Sequence, residues 1–287
     1  MPPADPHLRP YRSVLYIPGA RERALEKARA LPADAIIFDL EDAVAADEKS
    51  AARSLLARVL AEADYGHRAR IVRINGLDTK WGRDDIVAFA GAGVDAILVP
   101  KVGSAADLDA VAALAPNVAL WAMMETPQGI LNAAGIAAHP RLTGMVMGTN
   151  DLAKDLMTRF RADREPLLTS LQLCLLAAKA YHRIIIDGVY NAFKDDAGLL
   201  VECEQGRDMG FDGKTLIHPA QLAIANTAFS PSADEIELAQ RQIEAFETAV
   251  RDGKGVGVVD GKIVENLHAA TARQVLARAS AIAERAI

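Results

Sequence analysis

Eight short apolar runs, separated by longer Ala- and Leu-rich stretches, limit what this chain can fold into more than any other feature. The runs are SVLYI (13–17), AIIFD (35–39), RIVRI (70–74), AILVP (96–100), ALWAMM (119–124), GMVMG (144–148), RIIID (183–187) and GKTLI (213–217). Most are rich in Val, Ile and Leu, as parallel strands covered on both faces should be. The stretches between them have helical spacing. They include ERALEKARAL (22–31), 47–63 with Asp47 as N-cap, 104–114 opened by Ser104, 165–182 and 195–210. Eight strand–helix alternations predict a (β/α)8 TIM barrel, an α/β fold for which 287 residues is an ordinary length. A doubly wound open sheet is the alternative; the count of eight favours the barrel.

After Pro219 the pattern changes. Residues 220–229 read as the last barrel helix. Residues 231–253 read as a long amphipathic helix capped by Ser232 and stopped at Gly253, residues 253–264 as a glycine-rich turn or hairpin, and the remainder as a final helix. The expected organisation is a barrel over 1–230 and C-terminal helices with a glycine-rich lid segment over 231–287. No repeats or low-complexity segments interrupt it.

Composition excludes several classes. The net charge is −6 and no long basic run is present, which argues against a nucleic-acid surface. MPPADPHLRP has no apolar signal core, and no stretch of 18 apolar residues exists to span a membrane. Cys174 and Cys203 lie far apart without metal-like spacing, so they read as reduced thiols of a cytoplasmic protein.

Active sites of TIM barrels lie at the C-terminal ends of the strands. There this chain places Arg21, then Asp39, Glu41 and Asp42, then Arg73 and Asn75, Lys101, Glu125, Asn150 and Asp151, Asp187, and His218. So many acids at one mouth repel one another unless a cation intervenes. Mg2+ suits them, because it takes one or two carboxylates and completes its octahedron with water and substrate oxygens. Glu125 and Asp151 end adjacent strands and can approach one ion. No His/Cys cluster suggests zinc.

Each residue also has a plainer reading. Asp151 can cap the helix in TNDLAKDL, and Glu125 can open a helix whose first turn favours acids. Arg73 can be a structural partner of Glu41 or Asp42. His218 can be a hydrogen-bonded loop residue, and Trp81, Trp121, Met123 and Met124 can be packing residues.

Seven segments in order carry more than pattern: RSVLYIPGARERALEKA, IIFDLEDAV, IVRINGLDT, LVPKV, METPQGILNA, GTNDLAKDL and GFDGKTLIHPAQLAIANTAFSPSADEI. Together they resemble the citrate lyase beta-subunit family of the HpcH/HpaI-type aldolase superfamily, with malyl-CoA and citramalyl-CoA lyases as close relatives. The resemblance runs from about Arg12 to Lys262. It implies a (β/α)8 barrel, Mg2+, a homotrimer, and a C-terminal segment that crosses onto a neighbour.

Carried over position by position, the resemblance implies that Glu125 and Asp151 are metal ligands and that Arg73 binds the oxo-acid end. It implies that Tyr16, Arg21 and Lys27 contact the CoA portion, and that Glu41 and Asp42 orient Arg73 or a metal-bound water. Asp260 matches the acid/base on the C-terminal segment, although VDGKIVENLH departs from the LDGKMID-plus-proline of the relatives. The expected reaction is cleavage of a 3-hydroxyacyl-CoA, of citramalyl-CoA or malyl-CoA type, to acetyl-CoA and an α-oxo acid. Alternatives are a citrate lyase subunit acting with an acyl-carrier protein, a malyl-CoA thioesterase, and a metal aldolase on free oxo-acids.

Overall fold

A computed structural model describes residues 9–285; most of the segment read for a signal core lies outside the described residues. Eight parallel strands close into a barrel in sequence order. They are β1 (Ser13–Pro18), β2 (Ala35–Asp39), β3 (Ala69–Arg73), β4 (Ala96–Val99), β5 (Ala119–Met124), β6 (Leu142–Met147), β7 (Ile184–Asp187) and β8 (Gly213–Leu216). β8 returns to pair with β1, so no sheet edge remains in the barrel.

Strand parity divides the core in two. Val14, Ile37, Ile71, Leu98, Trp121, Met123, Val146 and Ile186 fill the barrel interior. Their sequence neighbours Leu15, Phe38, Val72, Ile97, Ala122, Met145 and Ile185 face the helices. Such runs look continuous in sequence because both faces are buried, each large side chain contributing about 1.5–3 kcal/mol. Trp121 fits inside because Gly144 stands beside it in register: a Cβ there would lie 2.4 Å from the indole. Its Nε1 donates to Thr143 Oγ1 at 3.1 Å, and Tyr11 packs on its ring at 5.3 Å.

The helices follow the expected caps with local differences. Asp107 accepts the Ser104 N–H at 2.8 Å, Asp195 accepts Gly198 N at 3.0 Å, and Ser232 accepts Glu235 N at 3.2 Å. The helix expected from Asp47 runs Lys49–Glu62 with Glu48 at its N-cap, so Asp47 is not the cap. Instead, Lys49 turns its ammonium back to the carbonyls of Leu40 and Glu41, at 3.0 and 2.9 Å, and ties the helix to the loop after β2. A helix over Gly82–Phe89, unassigned by spacing, completes the β3–β4 connection. Cys174 and Cys203 are buried and free, and burial pushes both thiols up to about 12. Among the described residues no helix is long and apolar enough to cross a membrane.

Tyr11–Phe229 forms one compact unit, and the chain from Ser230 belongs to another. That second unit holds a helix over Ala233–Arg251, the antiparallel pair β9 (Gly257–Val259) and β10 (Lys262–Val264), and a helix over Asn266–Ala283. Pro10 belongs with it, its carbonyl accepting from Arg285 Nη1 at 3.4 Å.

Candidate active site

Asp39 and Arg73 are register partners on β2 and β3, at inward-facing positions one step above Ile37 and Ile71. Both are buried, and the guanidinium meets the carboxylate as a fork: Nε to Oδ1 at 2.7 Å, Nη2 to Oδ2 at 2.6 Å. The remaining capacity of Asp39 is filled by the loop after β2, where Glu41 N donates to Oδ1 at 2.9 Å and Ala43 N to Oδ2 at 3.0 Å. One buried carboxylate therefore aims Arg73 and shapes the loop that carries Glu41 and Asp42. Sequence reasoning placed Asp39 at the mouth but did not assign it this role. The signal was its parity with Ile37 directly beside Arg73.

The outer nitrogen of Arg73 reaches further. Nη1 lies 2.9 Å from Glu41 Oε2 and 3.2 Å from Asp42 Oδ2, so the plain reading of Arg73 as a partner of these acids holds in the geometry. Its guanidinium also stands over the Tyr16 ring at 5.1 Å. Burial pushes the Glu41 carboxyl up to about 7, with Asp42 and Glu125 adding to the push and Arg73 opposing it. For neighbouring Asp42, burial is outweighed by the Glu41 hydrogen bond, Arg73 and Lys101, which hold it below the usual range.

Glu125 follows β5 and is 1% exposed. The helix after it starts at Pro127 with Thr126 as its cap, accepting from Gly129 N at 3.0 Å, so Glu125 is not a first-turn helix residue. Its Oε1 accepts the Lys101 backbone N–H at 2.7 Å, where Lys101 takes a left-handed conformation (φ 50°). Asp151 lies in the first turn of the helix Thr149–Asp155, whose cap position is Gly148. Burial pushes Glu125 up to about 7 against the Lys101 N–H and the Arg73 charge, and Asp151 adds to the push.

Asp39, Asp42, Arg73, Glu125 and Asp151 line one cavity of about 300 Å3, with Thr149, Asn150 and Asn191 as further polar lining and Met123, Met147 and Val189 on its apolar wall. Among the described residues no three His, Cys, Asp or Glu side chains form a metal cluster. Of the carboxylates lining it, Asp39 is taken up by Arg73 and the loop backbone and Asp42 by Arg73, which leaves Glu125 and Asp151 as the pair that could hold an ion. That fits Mg2+ completed by water and substrate oxygens, and does not fit zinc. A larger cavity of about 660 Å3, over the loops after β2, β3 and β4, is lined by Glu41, Asp42, Asn75, Trp81 and Lys101.

The other expected site residues are placed as follows. Tyr16 lines the metal-suited cavity, its hydroxyl donating to Met123 Sδ at 3.4 Å. Arg21 and Lys27 stand exposed at the two ends of the helix Glu22–Ala28 and do not line that cavity. Asp260 belongs to the C-terminal unit, exposed and paired with Arg241 at 2.7 Å. It forms a two-residue Asp-Gly hairpin loop with Gly261, both at positive φ (50° and 74°), as a type I′ turn requires. His218 accepts Ala220 N at 3.1 Å and stacks on Phe193, a hydrogen-bonded loop residue.

Asp187 corrects an expectation. It was counted among the acids of the mouth, but its parity on β7 matches helix-facing Ile185. It is fully buried with Lys214 Nζ at 3.1 Å and Arg164 Nη1 at 2.7 Å, and Lys214 also meets Glu202 at 2.6 Å. Lys214 and Arg164 hold Asp187 below the usual carboxylate range despite complete burial. This ionic cluster ties β7 and β8 to the helix Asp196–Met209 through Glu202, and to the loop ahead of the helix Leu168–Ala180 through Arg164.

The HpcH/HpaI aldolase/citrate lyase family model matches residues 12–219. Over 274 residues the chain is 72% identical to a protein of Cereibacter sphaeroides named (3S)-malyl-CoA thioesterase, covering 96% of each chain. It is 35% identical to citrate lyase subunit beta of Escherichia coli, covering 93% of each. A solved structure of CitE from Mycobacterium tuberculosis, in complex with magnesium, acetoacetate and coenzyme A, superposes with a TM-score of 0.81 at 32% identity. That match covers 95% of this chain and 99% of the other.

Proposed function

Because the chain belongs to the HpcH/HpaI aldolase/citrate lyase family, we propose that it is a Mg2+-dependent acyl-CoA enzyme that hydrolyses a malyl-CoA-type thioester to the free hydroxy acid and CoA. The observation that carries the choice of reaction is the far greater identity to a (3S)-malyl-CoA thioesterase than to citrate lyase subunit beta. This moves the reading from the carbon–carbon cleavage expected first to the hydrolysis that stood as its alternative.

Glu125 and Asp151 would hold the Mg2+, which when bound supplies a Lewis acid for the substrate's hydroxyl and carboxylate oxygens. Arg73, aimed by Asp39, places fixed positive charge in the same cavity and receives the carboxylate end of the substrate. Tyr16 forms the wall beneath Arg73. Arg21 and Lys27, exposed beyond β1, are charge partners for the phosphates of CoA. Lys101 orients Glu125 through its backbone and sets an ammonium 3.7 Å from Glu41, so it acts as electrostatic support with no covalent role. Hydrolysis then requires a water to add to the thioester carbonyl and the C–S bond to break.

The carbon–carbon lyase is the second reading, favoured by the citrate lyase relatives. It needs an acid at the carbon left as a thioester enolate, which is the role Asp260 would take, from its own or a neighbouring subunit. In that reading the protein acts as a cytoplasmic homotrimer, or beside an acyl-carrier protein as a lyase subunit. A panel of malyl-CoA, citramalyl-CoA and citryl-CoA with Mg2+, scored separately for free thiol and for oxo acid, decides between them. Thiol without oxo acid supports hydrolysis; oxo acid with acetyl-CoA overturns it.

A further inference from the structure

Resting on the hydrolase reading, we propose that Glu41 is the general base that takes a proton from the attacking water and returns it to the departing thiolate. The other acids of the site are committed elsewhere. Both oxygens of Asp39 each accept two N–H groups, from Arg73 and from the loop backbone. Glu125 and Asp151 form the metal-suited pair, and Asp42 is 59% exposed with its Oδ2 on Arg73. Glu41 differs in having one oxygen fixed and one open. Oε2 is held by Arg73 Nη1 at 2.9 Å and by Asp42 N at 3.2 Å, and the Glu41 carboxyl also shares a hydrogen bond with the Asp42 side chain. Oε1 has Lys101 Nζ at 3.7 Å, beyond hydrogen-bond reach, so a lone pair there is free to accept from water.

Position supports the role. Glu41 lines the 660 Å3 cavity, while the Arg73 it is anchored to lines the 300 Å3 cavity with Glu125 and Asp151. The carboxylate therefore faces a space that can supply water while it is anchored to the guanidinium that lines the cavity assigned to the hydroxy-acid end. The charged groups facing it are Arg73, Lys101, Asp42 and Glu125, with Lys49 on its backbone carbonyl at 2.9 Å. Burial raises its carboxyl to about 7, the range in which a base works best at neutral pH. The step balances without a redox partner. Water oxygen bonds to the thioester carbon and its proton passes to Oε1; the C–S bond then breaks and the thiolate takes that proton.

The test uses the full chain with Mg2+ and malyl-CoA, comparing wild type, Glu41→Gln and Glu41→Asp. Glu41→Gln is expected to keep Mg2+ affinity and KM within about twofold while kcat for thiol release falls by about 10²–10⁴. The acid limb of its kcat–pH profile should vanish, and Glu41→Asp should recover part of the rate with that limb restored. Wild-type hydrolysis with a Glu41→Gln rate within about threefold overturns the assignment alone. Loss of Mg2+ affinity in step with kcat also overturns it, leaving Glu41 a positioning residue. A wild type that yields oxo acid instead of thiol overturns the hydrolase reading and this proposal together.

Discussion

Arg73 grips Asp39 across the β2–β3 register through two parallel hydrogen bonds of 2.7 and 2.6 Å, with both side chains buried. A neutral amide cannot reproduce this, because its NH2 would face a guanidinium N–H. Asp39→Asn is therefore expected to lower kcat/KM by about 10²-fold through misplacement of Arg73. Removing one partner of a buried pair typically costs about 3–5 kcal/mol; the loss here should fall at the low end, since Asp42 and Glu41 still meet Arg73. Steady-state kinetics and a urea titration check both parts. Unchanged turnover would show that Arg73 needs no support from Asp39.

The metal assignment makes its own prediction. Glu125→Ala and Asp151→Ala should each abolish Mg2+ binding by calorimetry and lower turnover by at least about 10²-fold. The melting temperature should change little for Glu125→Ala, because relief from burying the carboxylate offsets the loss of its hydrogen bond from the Lys101 N–H. Full activity after exhaustive EDTA treatment would remove Mg2+ from the mechanism.

The barrel was legible because eight strands buried on both faces leave eight uninterrupted apolar runs, and nothing else in the chain resembles them. Strand ends moved by one or two residues, as where β6 begins at Leu142 opposite an irregular register at Leu120/Trp121. The strand-end rule also put Arg73, Glu41, Asp42, Glu125 and Asp151 at the mouth, where they line the two cavities. What spacing alone did not reveal was direction. Asp39 and Asp187 both close a strand, yet parity turns the first into the barrel mouth beside Arg73 and the second outward onto Lys214. Arg164, which completes the Asp187 cluster, sits in an irregular loop with φ 54°, where neither helical nor strand periodicity leaves a trace.

Asp187 should govern acid stability. Its carboxyl is held below the ordinary value in the fold, so its contribution is complete above about pH 4, the unfolded carboxylate value, and declines as pH falls from there toward the folded pKa. Asp187→Asn leaves Glu202 as the carboxylate beside Lys214 and Arg164, and is expected to cost about 3–5 kcal/mol at pH 7. Between about pH 4 and pH 2 the gap between variant and wild type should narrow. Denaturant midpoints across that range measure it, and a gap that widens as pH falls would contradict the pairing.

Asp260 has two explanations that one substitution separates. Asn is as comfortable as Asp at positive φ in a type I′ turn, so Asp260→Asn should preserve the hairpin with a melting temperature within about 2 °C. A fall in turnover of about 10²-fold or more would then report lost proton transfer. Turnover near wild type would leave Asp260 as the residue that makes the turn and pairs with Arg241.

Gly148 connects the strand-six end to the metal-suited pair by contact alone. A Cβ added there would lie 2.4 Å from Glu125 Cβ and 2.6 Å from its Oε2, closer than any relaxed contact allows. The backbone at Gly148 has φ −96°, so alanine is not excluded by conformation; the conflict is steric and falls on Glu125. Glu125 in turn is pinned by the Lys101 N–H at 2.7 Å, so it cannot yield without losing that hydrogen bond. Gly148→Ala should therefore weaken Mg2+ binding by about tenfold or more and cost about 1–3 kcal/mol of stability. Gly135→Ala, where the added Cβ meets nothing within 4 Å, is the matched control and should leave both unchanged. Equal Mg2+ affinity in the two variants would mean that Glu125 does not hold the ion from the position it occupies here.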